Sequence, residues 1–390
     1  MRVVWINKSE WKKPGPIVYM GLLNALSFAE NAVATDYFVT ENVATGGRPA
    51  TTDDDLRDFY GVAPNPSLHI HRVAPAGRTR GVYDAALTHI ANLLEGGTPT
   101  LVCTRELGCL AALLRLKKRF ARLRVLYEAH DYYLNIRHLP RRGWSARRRQ
   151  LAEQLLLPRV DGLICLTEHQ RALYQQSLPG QHLLALPLGS TTRTAPATHA
   201  ARLARRTVAY IGHLHGYKGL EELFALAAHL GDHAVSLRCI GGNPAQITAL
   251  QARAGAAGLQ DTLSFTGFVS PFELHAILSS EISIGIAPLQ DTFYNRYLTC
   301  PVKVLDFIGH GLPVVASDLP STRALLGDAG SYCRAADIQA FGRRILALLD
   351  TTDRYIEAAQ ASAAQAVALD WRQRARRIID HFAGDFGPRP

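Results

Sequence analysis

The sequence predicts an α/β protein with two doubly wound parallel sheets, and three observations indicate this class. The chain has 390 residues, which favours two domains over one. Short apolar runs of strand length alternate with helical patterns in both halves, as in parallel sheets covered by helices. Polar or glycine-containing segments follow many of these runs, and open α/β sheets bind ligands at the carboxyl ends of their strands.

The composition is that of an ordinary globular protein, with 47% apolar and 19% charged residues. No apolar run approaches the roughly 18 residues of a membrane span, and the N-terminal segment lacks the apolar core of a secretory signal. The cysteines show neither Cys-x-x-Cys nor cysteine–histidine spacing, which predicts reduced thiols in a cytoplasmic protein. They are Cys103, Cys109, Cys165, Cys239, Cys300 and Cys333.

The net charge of +10 is concentrated in residues 115–149, which contain twelve lysines and arginines against two acids, Glu128 and Asp131. This excess predicts an anionic partner, unless the basic side chains simply form solvated helix faces. No nucleic-acid motif accompanies the window, so nucleic acid is disfavoured. Attraction to anionic lipid, at roughly 1 kcal/mol per basic residue, favours a peripheral position at the inner face of a membrane.

Residues 1–190 are predicted to form the first domain around seven strands. The predicted strands are residues 3–6, 35–39, 68–73, 100–104, 125–129, 162–166 and 183–186. Polar residues come directly after several of them, and a doubly wound sheet would place these residues along its ligand-binding edge. They are Asn7, Thr40, Arg105, His130 and Thr167.

Two segments of this edge are candidates for chemistry. Residues 8–16 contain Gly15, which permits close backbone approach, and Pro16, which suits a helix start; a plain βα connection is the alternative. His130 stands beside Asp131 at a strand end, where an imidazole is well placed for acid–base work. A lone histidine is nevertheless more often structural.

A linker at residues 191–206 and a second domain at residues 207–370 are predicted next. A strand, a glycine-bearing loop and the start of a helix are expected over residues 207–219, a strand and turn at residues 236–242, and a further strand at residues 263–268. The tail, residues 371–390, contains an amphipathic helical pattern with arginines on one side.

The first strand of the second domain leads into a glycine-bearing loop and then into a helix. Gly212, Lys218 and Gly219 bring backbone amides and an ammonium group into this loop, a combination that can surround a phosphate. Three glycines alone are a weak signal, so the loop supports a phosphate site only in combination with residues 282–318.

The segment 282–318 predicts an apolar strand, a polar loop, a short helix and a second strand. Pro301 suits the first helical position, with Thr299 or Cys300 as the cap, and Gly311 would end the helix before Pro313 opens the next strand. An anion, most plausibly a phosphate, fits the amino end of such a helix.

Within that helix, Lys303 and Asp306 lie three residues apart and should share a face. A solvated ion pair is one interpretation of this spacing. The other is a carboxylate that accepts hydrogen bonds from sugar hydroxyls in a ligand-binding cleft.

The run from Thr299 to Ser317 resembles the donor-binding segment of family-four glycosyltransferases, which are retaining enzymes of the GT-B fold in glycosyl transferases group 1. The resemblance implies that Asp306 takes the place of an acidic residue, usually glutamate, that contacts the nucleotide ribose. The common form of the family has a second glutamate where Leu298 stands here, so the contact to the sugar itself stays open.

The resemblance also covers the glycine loop and the first domain. It implies that Lys218 and Gly219 hold the diphosphate, with His213 in place of an arginine, and that the main chain of Phe268 and Val269 meets the nucleobase. It implies that the last helix crosses back onto the first domain.

The resemblance thus implies two Rossmann-like domains facing across a cleft and the retaining transfer of a sugar from a nucleoside diphosphate sugar, UDP or GDP first, to a hydroxyl of a glycan or glycolipid. No cofactor and no metal are expected. The catalytic candidates are His130, Lys218 and Asp306, with Glu128 and Asp131 in support. The donor-binding candidates are Gly212, His213, Lys218, Gly219, Gly241, Phe268, Val269, Thr299, Lys303 and Asp306, and the acceptor-side candidates are Gly15, Pro16 and Asp131.

Three other functions stay open. A nucleotide-sugar 2-epimerase shares the architecture and would convert a donor without an acceptor. A sugar phosphorylase would use free phosphate. A binding protein for sugar nucleotides or anionic polymers would bind without turnover.

Overall fold

The structure is a computed structural model that describes residues 1–41, 51–75, 80–139, 142–193, 198–214 and 219–384. It divides into two compact units. The first comprises Met1–Leu188 together with Trp371–Pro390, and the second comprises Gly189–Asp370.

The first unit is built on a seven-stranded parallel sheet with the strand order β3-β2-β1-β4-β5-β6-β7. Its strands lie close to the predicted runs, although the first continues to Glu10. The strands are β1 (Arg2–Glu10), β2 (Thr35–Thr40), β3 (Leu68–Val73), β4 (Thr100–Thr104), β5 (Leu123–Ala129), β6 (Gly162–Cys165) and β7 (Leu183–Ala185).

Seven α-helices belong to the described part of the first unit, besides a π-helical turn at Asp55–Phe59 and short 3-10 turns at Ile136–His138 and Leu157–Arg159. The helices are α1 (Pro16–Glu30), α2 (Thr52–Asp54), α3 (Arg80–Glu95), α4 (Leu107–Arg119), α5 (Trp144–Leu156), α6 (Glu168–Ser177) and α16 (Trp371–Phe382).

The second unit has a six-stranded parallel sheet with the order β10-β9-β8-β11-β12-β13. The strands are β8 (Thr207–Ile211), β9 (Ser236–Ile240), β10 (Leu263–Thr266), β11 (Ile284–Ala287), β12 (Val314–Ser317) and β13 (Gly330–Cys333).

Nine α-helices accompany this sheet in the described residues, with a 3-10 turn at Gly327–Ala329. The helices are α7 (His199–Ala204), α8 (Leu220–Gly231), α9 (Pro244–Ala256), α10 (Pro271–Ser280), α11 (Phe293–Tyr297), α12 (Val302–Gly309), α13 (Pro320–Leu326), α14 (Ile338–Leu349) and α15 (Thr352–Ala368). Helix α7 lies in the segment predicted as a linker, and its Arg202 is buried and donates to the carbonyl oxygen of His310, 2.8 Å away.

Both sheets follow the strand order of a Rossmann fold, which confirms the predicted class. In each sheet the order reverses beside the first strand of the unit, between β1 and β4 and between β8 and β11. A crevice at the carboxyl ends of the strands is expected at such a reversal. The residues just after β1, β4 and β5, and those just after β8, β9 and β11, are therefore the candidates for function.

Helix α16 packs within the first unit on α1 and β6. A Cβ atom added to Gly162 of β6 would lie 2.1 Å from the ring of Phe382, so the absent side chain makes room for this helix. The sequence predicted that the arginines of this helix lie on the side away from its apolar face. This prediction is wrong for Arg374, which is 3% exposed and lies among the buried residues of the helix. They are Trp371, Arg374, Ala375, Ile378 and Phe382.

Across the ranges that the structure covers, no helix combines the length and the apolar character needed to span a membrane.

Candidate active site

Two glycines bring the ends of β8 and β9 into close contact in the second unit. Gly212 and Gly241 have φ angles of 150° and 136°, and the Gly212 N–H donates to the carbonyl oxygen of Ile240, 2.9 Å away. A Cβ atom on Gly241 would lie 2.2 Å from the carbonyl oxygen of Gly212, so no side chain fits there. The bare backbone at this edge lets a ligand approach closely.

Lys303 reaches this edge from α12. Its Nζ atom lies 3.9 Å from the centroid of the Tyr210 ring, and a Cβ on Gly212 would be 3.2 Å from the same atom. A cation over an aromatic face is held there by the ring quadrupole. The structure thus brings together Gly212, Gly241 and Lys303, which lie far apart in the sequence.

The start of α12 differs from the prediction in its capping. Pro301 is itself the N-cap rather than the first helical residue, and no side chain caps the helix. The predicted cap by Thr299 or Cys300 is therefore wrong. Backbone N–H groups point outward at the amino end of a helix, so the start of α12 suits a bound anion. The other end agrees with the prediction, because Gly311 has a φ of 59° just after the helix.

Asp306 lies one turn into α12 and is half-buried. Burial raises its pKa to about 7, against the opposing positive charge of Arg193. The backbone N–H of Arg193 donates to the carbonyl oxygen of Gly309, 2.8 Å away, which fixes this segment beside the helix. Near neutral pH the Asp306 carboxyl group can therefore both accept and donate hydrogen bonds.

The segment before α12 is more ordered than the predicted polar loop, because it contains α11. The N–H groups of Leu298 and Thr299 both donate to the carbonyl oxygen of Tyr294, each at 3.0 Å. Leu298 is fully buried, so this position belongs to the core of the unit. Thr299 is half-buried beside it.

An exposed aromatic residue lies at the end of β10. The Phe268 ring is 38% exposed and meets the His213 ring edge-on, with centroids 5.3 Å apart. The Phe268 N–H donates to the carbonyl oxygen of Gly242, 3.1 Å away, and Val269 comes next at a half-buried position. This arrangement offers a flat apolar surface beside polar main chain.

The glycine loop is described only at its two ends. Gly219 adopts a left-handed conformation with a φ of 83° and is the N-cap of α8, without a side-chain hydrogen bond. Lys218 lies outside the described residues, so its predicted contact with the diphosphate stays a prediction.

In the first unit, His130 comes directly after β5 and is hydrogen-bonded to a buried ion pair of Glu128 and Arg374. Its Nε2 atom lies 2.6 Å from Oε1 of Glu128, and Oε2 of Glu128 lies 2.7 Å from a guanidinium nitrogen of Arg374. Arg374 also donates to the carbonyl oxygen of Pro187, 2.7 Å away, and to the side-chain oxygen of Asn24. The carboxylate of Glu128 therefore connects His130 to Arg374 of helix α16.

These contacts determine the protonation states of Glu128 and His130. Burial acts to raise the pKa of Glu128, but Arg374 and His130 lower it to about 2, so the carboxylate is ionised at neutral pH. Burial lowers the pKa of His130, as does the positive charge of Arg105. A neutral imidazole that donates from Nε2 to ionised Glu128 leaves Nδ1 as a hydrogen-bond acceptor.

Sequence reasoning missed Arg374 and gave Glu128 only a supporting role. The available signal was the position of Arg374 in α16, three residues after Trp371 and four before Ile378, where an apolar residue is expected.

Asp131 is held through its main chain and its side chain. Its carbonyl oxygen accepts from the Tyr174 hydroxyl, 3.1 Å away, and Oδ2 accepts from the Tyr133 hydroxyl at 3.2 Å. Nearby, Glu153 of α5 accepts from the Tyr133 N–H at 2.8 Å, and burial raises the pKa of Glu153 to about 8. The sequence analysis did not single out Glu153.

Two ion pairs fix the end of β1 and the loop that follows it. Lys8 Nζ lies 2.8 Å from Glu106, and Lys12 Nζ lies 2.7 Å from Asp55. Gly15 has a φ of 99°, Pro16 begins α1, and a Cβ on Gly15 would meet no atom within 4 Å. The loop is open at Gly15, while Lys8 and Lys12 are neutralised by carboxylates of the same unit.

Three residues of metal-binding types come together elsewhere in the first unit. Asp36 Oδ1 lies 2.7 Å from His71 Nε2, and Oδ2 lies 3.1 Å from His89 Nε2. Arg2, however, donates to both oxygens of Asp36, at 2.5 and 3.1 Å. The guanidinium ion already occupies the carboxylate, so we interpret this group as a buried ion-pair cluster rather than a metal centre.

The comparisons with known proteins agree with this fold. Residues 205–351 match the family model described as glycosyl transferases group 1. A curated relative, an uncharacterised glycosyltransferase of Haemophilus influenzae, is 23% identical over 221 residues, which are 55% of this chain and 59% of the relative. The match thus spans about three fifths of that relative's length.

Two solved structures resemble the whole chain at 15% identity. Sucrose-phosphate synthase from Thermosynechococcus elongatus has a TM-score of 0.68 and covers 98% of each chain. HepE of Anabaena in complex with UDP-glucose has a TM-score of 0.67, over 98% of this chain and 99% of the other. With the two Rossmann-ordered sheets, this likeness shows the GT-B fold.

Proposed function

We propose, from the premise that residues 205–351 form a group 1 glycosyl transferase domain, that the protein moves a sugar from a nucleoside diphosphate sugar to a hydroxyl acceptor. The observation that carries this proposal is the meeting of Lys303 with the bare backbone of Gly212 and Gly241, beside the N–H groups at the start of α12. A cation and the amino end of a helix suit a diphosphate.

The donor would be arranged around that diphosphate. Asp306 would bind ribose hydroxyls, because its carboxyl group can accept and donate near neutral pH. The exposed surface at Phe268 and the main chain of Val269 would meet the base. The complex of HepE with UDP-glucose makes a UDP-sugar the first donor to test, with GDP-sugars next.

The reaction would break the bond between the donor sugar's anomeric carbon and the diphosphate oxygen, and form a bond from that carbon to the acceptor oxygen. The proton of the acceptor hydroxyl would pass to the leaving phosphate on the same face, which retains the configuration. Charge accumulates on the diphosphate in this step, so cations and N–H groups aimed there stabilise the transition state. Lys303 would supply one such cation, and Lys218 a second.

His130 would act on the donor sugar as a neutral hydrogen-bond acceptor. Ionised Glu128 fixes the Nε2 proton, so Nδ1 is available to a sugar hydroxyl. Gly15, Pro16 and Asp131 would lie on the acceptor side. No metal takes part in this proposal, because the cations and N–H groups supply the positive charge.

The acceptor class proposed is a glycan or glycolipid precursor of the cell surface. The basic window at residues 115–149 supports an acceptor at an anionic membrane surface, where a cytoplasmic enzyme would be peripheral. A nucleic-acid partner is not proposed.

The test is a screen of UDP-, GDP-, ADP- and CMP-sugars by thermal unfolding, because a ligand that binds the folded state raises the melting temperature. The best donor is then incubated with acceptors in the presence of EDTA, and the anomeric configuration of the product is read by NMR. Retention supports the proposal, and inversion contradicts it. Conversion of the donor without an acceptor would indicate an epimerase, and binding without turnover a binding protein.

A further inference from the structure

The outer face of α5 carries the most exposed large apolar side chain in the described residues. Trp144 is 83% exposed, Leu151 is 56% exposed and Leu155 is 52% exposed. At about 100° per residue, positions seven and eleven residues apart fall within about 40° of one another on a helix. The three side chains therefore form one apolar stripe, which we call the α5 stripe.

The opposite face of α5 is anchored in the first unit. Ala146 and Glu153 are buried, and Glu153 accepts hydrogen bonds from the Tyr133 N–H and from the Tyr174 hydroxyl, the latter at 3.3 Å. The helix is thus held from its polar inner side, while its apolar side faces solvent. This is the reverse of the usual pattern, in which the apolar face of a surface helix packs on the core.

The charges along the α5 stripe have one sign. Arg147 and Arg148 are exposed on either side of it, and no carboxylate among the described residues lies within 4 Å of their guanidinium groups. Glu153 is the single acid in the sequence of α5, and it points inward. An incoming surface therefore meets exposed Trp and Leu side chains flanked by positive charge.

The structure also reduces the number of basic side chains in residues 115–149 that could bind an anionic partner. Several of its cations serve the fold: Lys117 pairs with Asp161 at 3.0 Å, Arg122 binds the carbonyl oxygen of Gly97, and Arg149 binds the Tyr133 hydroxyl. These cations are not available to a partner, whereas the Arg147–Arg148 pair beside the α5 stripe is available.

We propose that the α5 stripe, with Arg147 and Arg148, is a docking surface for anionic phospholipid. Tryptophan is enriched at membrane interfaces, leucine side chains gain free energy in the acyl region, and arginine binds lipid phosphate. A second copy of the chain fits less well, because a symmetric contact would bring two pairs of arginines together. This surface refines the membrane partner of the proposed function, but lipid binding requires neither donor nor acceptor.

Tryptophan fluorescence provides a direct test. The chain has four tryptophans, and Trp5, Trp11 and Trp371 are at most 4% exposed, so Trp144 alone reports on the environment of a solvent-facing indole. The full-length protein is titrated with vesicles of phosphatidylcholine, with and without phosphatidylglycerol, in the absence of sugar nucleotides. We expect a blue shift of the emission and loss of acrylamide quenching only with the anionic vesicles.

Matched variants separate the apolar from the charged contribution. Trp144→Ser with Leu151→Ser should reduce vesicle partitioning measured by flotation about tenfold or more, because two buried side chains are lost. Arg147→Gln with Arg148→Gln should reduce binding to anionic vesicles by a similar factor. Phe272→Ser, which removes a 51% exposed aromatic from the second unit, is the control and should bind as the wild type does.

Equal losses in the Phe272 and α5 variants, or equal binding to neutral and anionic vesicles, would overturn the proposal. A blue shift that depends on protein concentration without vesicles would assign the surface to a second copy instead. Because the assay contains no donor, failure of the transfer reaction leaves its result unaffected.

Discussion

The candidate sites of the two units are assembled in opposite ways. In the second unit, α12 and the described parts of the loops after β8 and β9 present bare backbone and the Lys303 cation, and Asp306 lies only three residues after Lys303. In the first unit, His130 depends on Glu128 and on Arg374, which is 246 residues away from Glu128. In the first unit, the residues around His130 also stabilise the fold through a buried ion pair. In the second unit, the Lys303 cation and the start of α12 suit a negatively charged ligand. Substitution of Arg374 should therefore act mainly on stability, and substitution of Lys303 mainly on turnover.

The largest effect on stability is expected from Arg374→Met. Removal of the guanidinium leaves ionised Glu128 buried without its partner, which costs about 3–5 kcal/mol of unfolding free energy. Urea unfolding measures the loss, with Arg377→Met on the exposed side of α16 as the control. The double variant Arg374→Met with Glu128→Gln should recover part of the loss. A loss of stability in Arg377→Met as large as that in Arg374→Met would remove the distinction.

Lys303→Met should act mainly on turnover. Loss of one cation aimed at the leaving diphosphate is expected to lower kcat about 10²–10³-fold, with the melting temperature nearly unchanged. Steady-state kinetics with the best donor measures this, and Lys303→Arg, which keeps the charge, is the comparison variant. Normal turnover in Lys303→Met would exclude the assigned role. Lys218→Ala carries the same expectation of about 10²–10³.

His130→Ala tests whether a residue of the first unit acts on turnover. We expect turnover to fall about 10²-fold with donor affinity retained, because the imidazole would bind the sugar during reaction rather than hold the nucleotide. Calorimetric titration with the donor and with its nucleotide separates affinity from kcat. Collapse of nucleotide affinity would make His130 a binding residue.

The smallest effect concerns pH and Asp306→Asn. The folded-state pKa of Asp306 is raised from 3.8 to about 7, so the unfolded state releases its proton first as the pH rises. Ionisation then disfavours the folded state, and the wild type should lose about 1–2 kcal/mol relative to Asp306→Asn between pH 4 and pH 7, since the group is partly exposed. Unfolding curves at both pH values test this. A difference between the proteins that does not change with pH would contradict the raised pKa.

Local signals predicted most of the fold, because many strand and helix ends carry a characteristic residue. Gly311 and Pro313 placed the end of α12 and the start of β12 correctly. Helix α11 was missed since five residues give no periodicity, and β13 was missed because its sequence, GSYC, has no apolar run.

The site was harder to predict where it depends on distant contacts. Arg374 occupies an apolar position of α16, but its burial was not predicted, since arginine on an amphipathic helix normally faces solvent. The cap of α12 was placed wrongly because Pro301 can take either the N-cap or the first helical position. The approach of Gly241 to Gly212 could not be predicted from local sequence, because strand register fixes it.

The placement of α16 has a consequence for synthesis on the ribosome. The chain leaves the first unit at Leu188 and returns at Trp371, so the second unit is complete before the first has its last helix. At translation speeds of about 5–20 residues per second, Glu128 emerges roughly 10–50 s before Arg374, 246 residues later. During that interval Glu128 lacks its guanidinium partner, and burial of an unpaired carboxylate disfavours formation of the core of the first unit. The nascent protein should therefore fold its second unit first, and close the core of its first unit only after α16 has emerged.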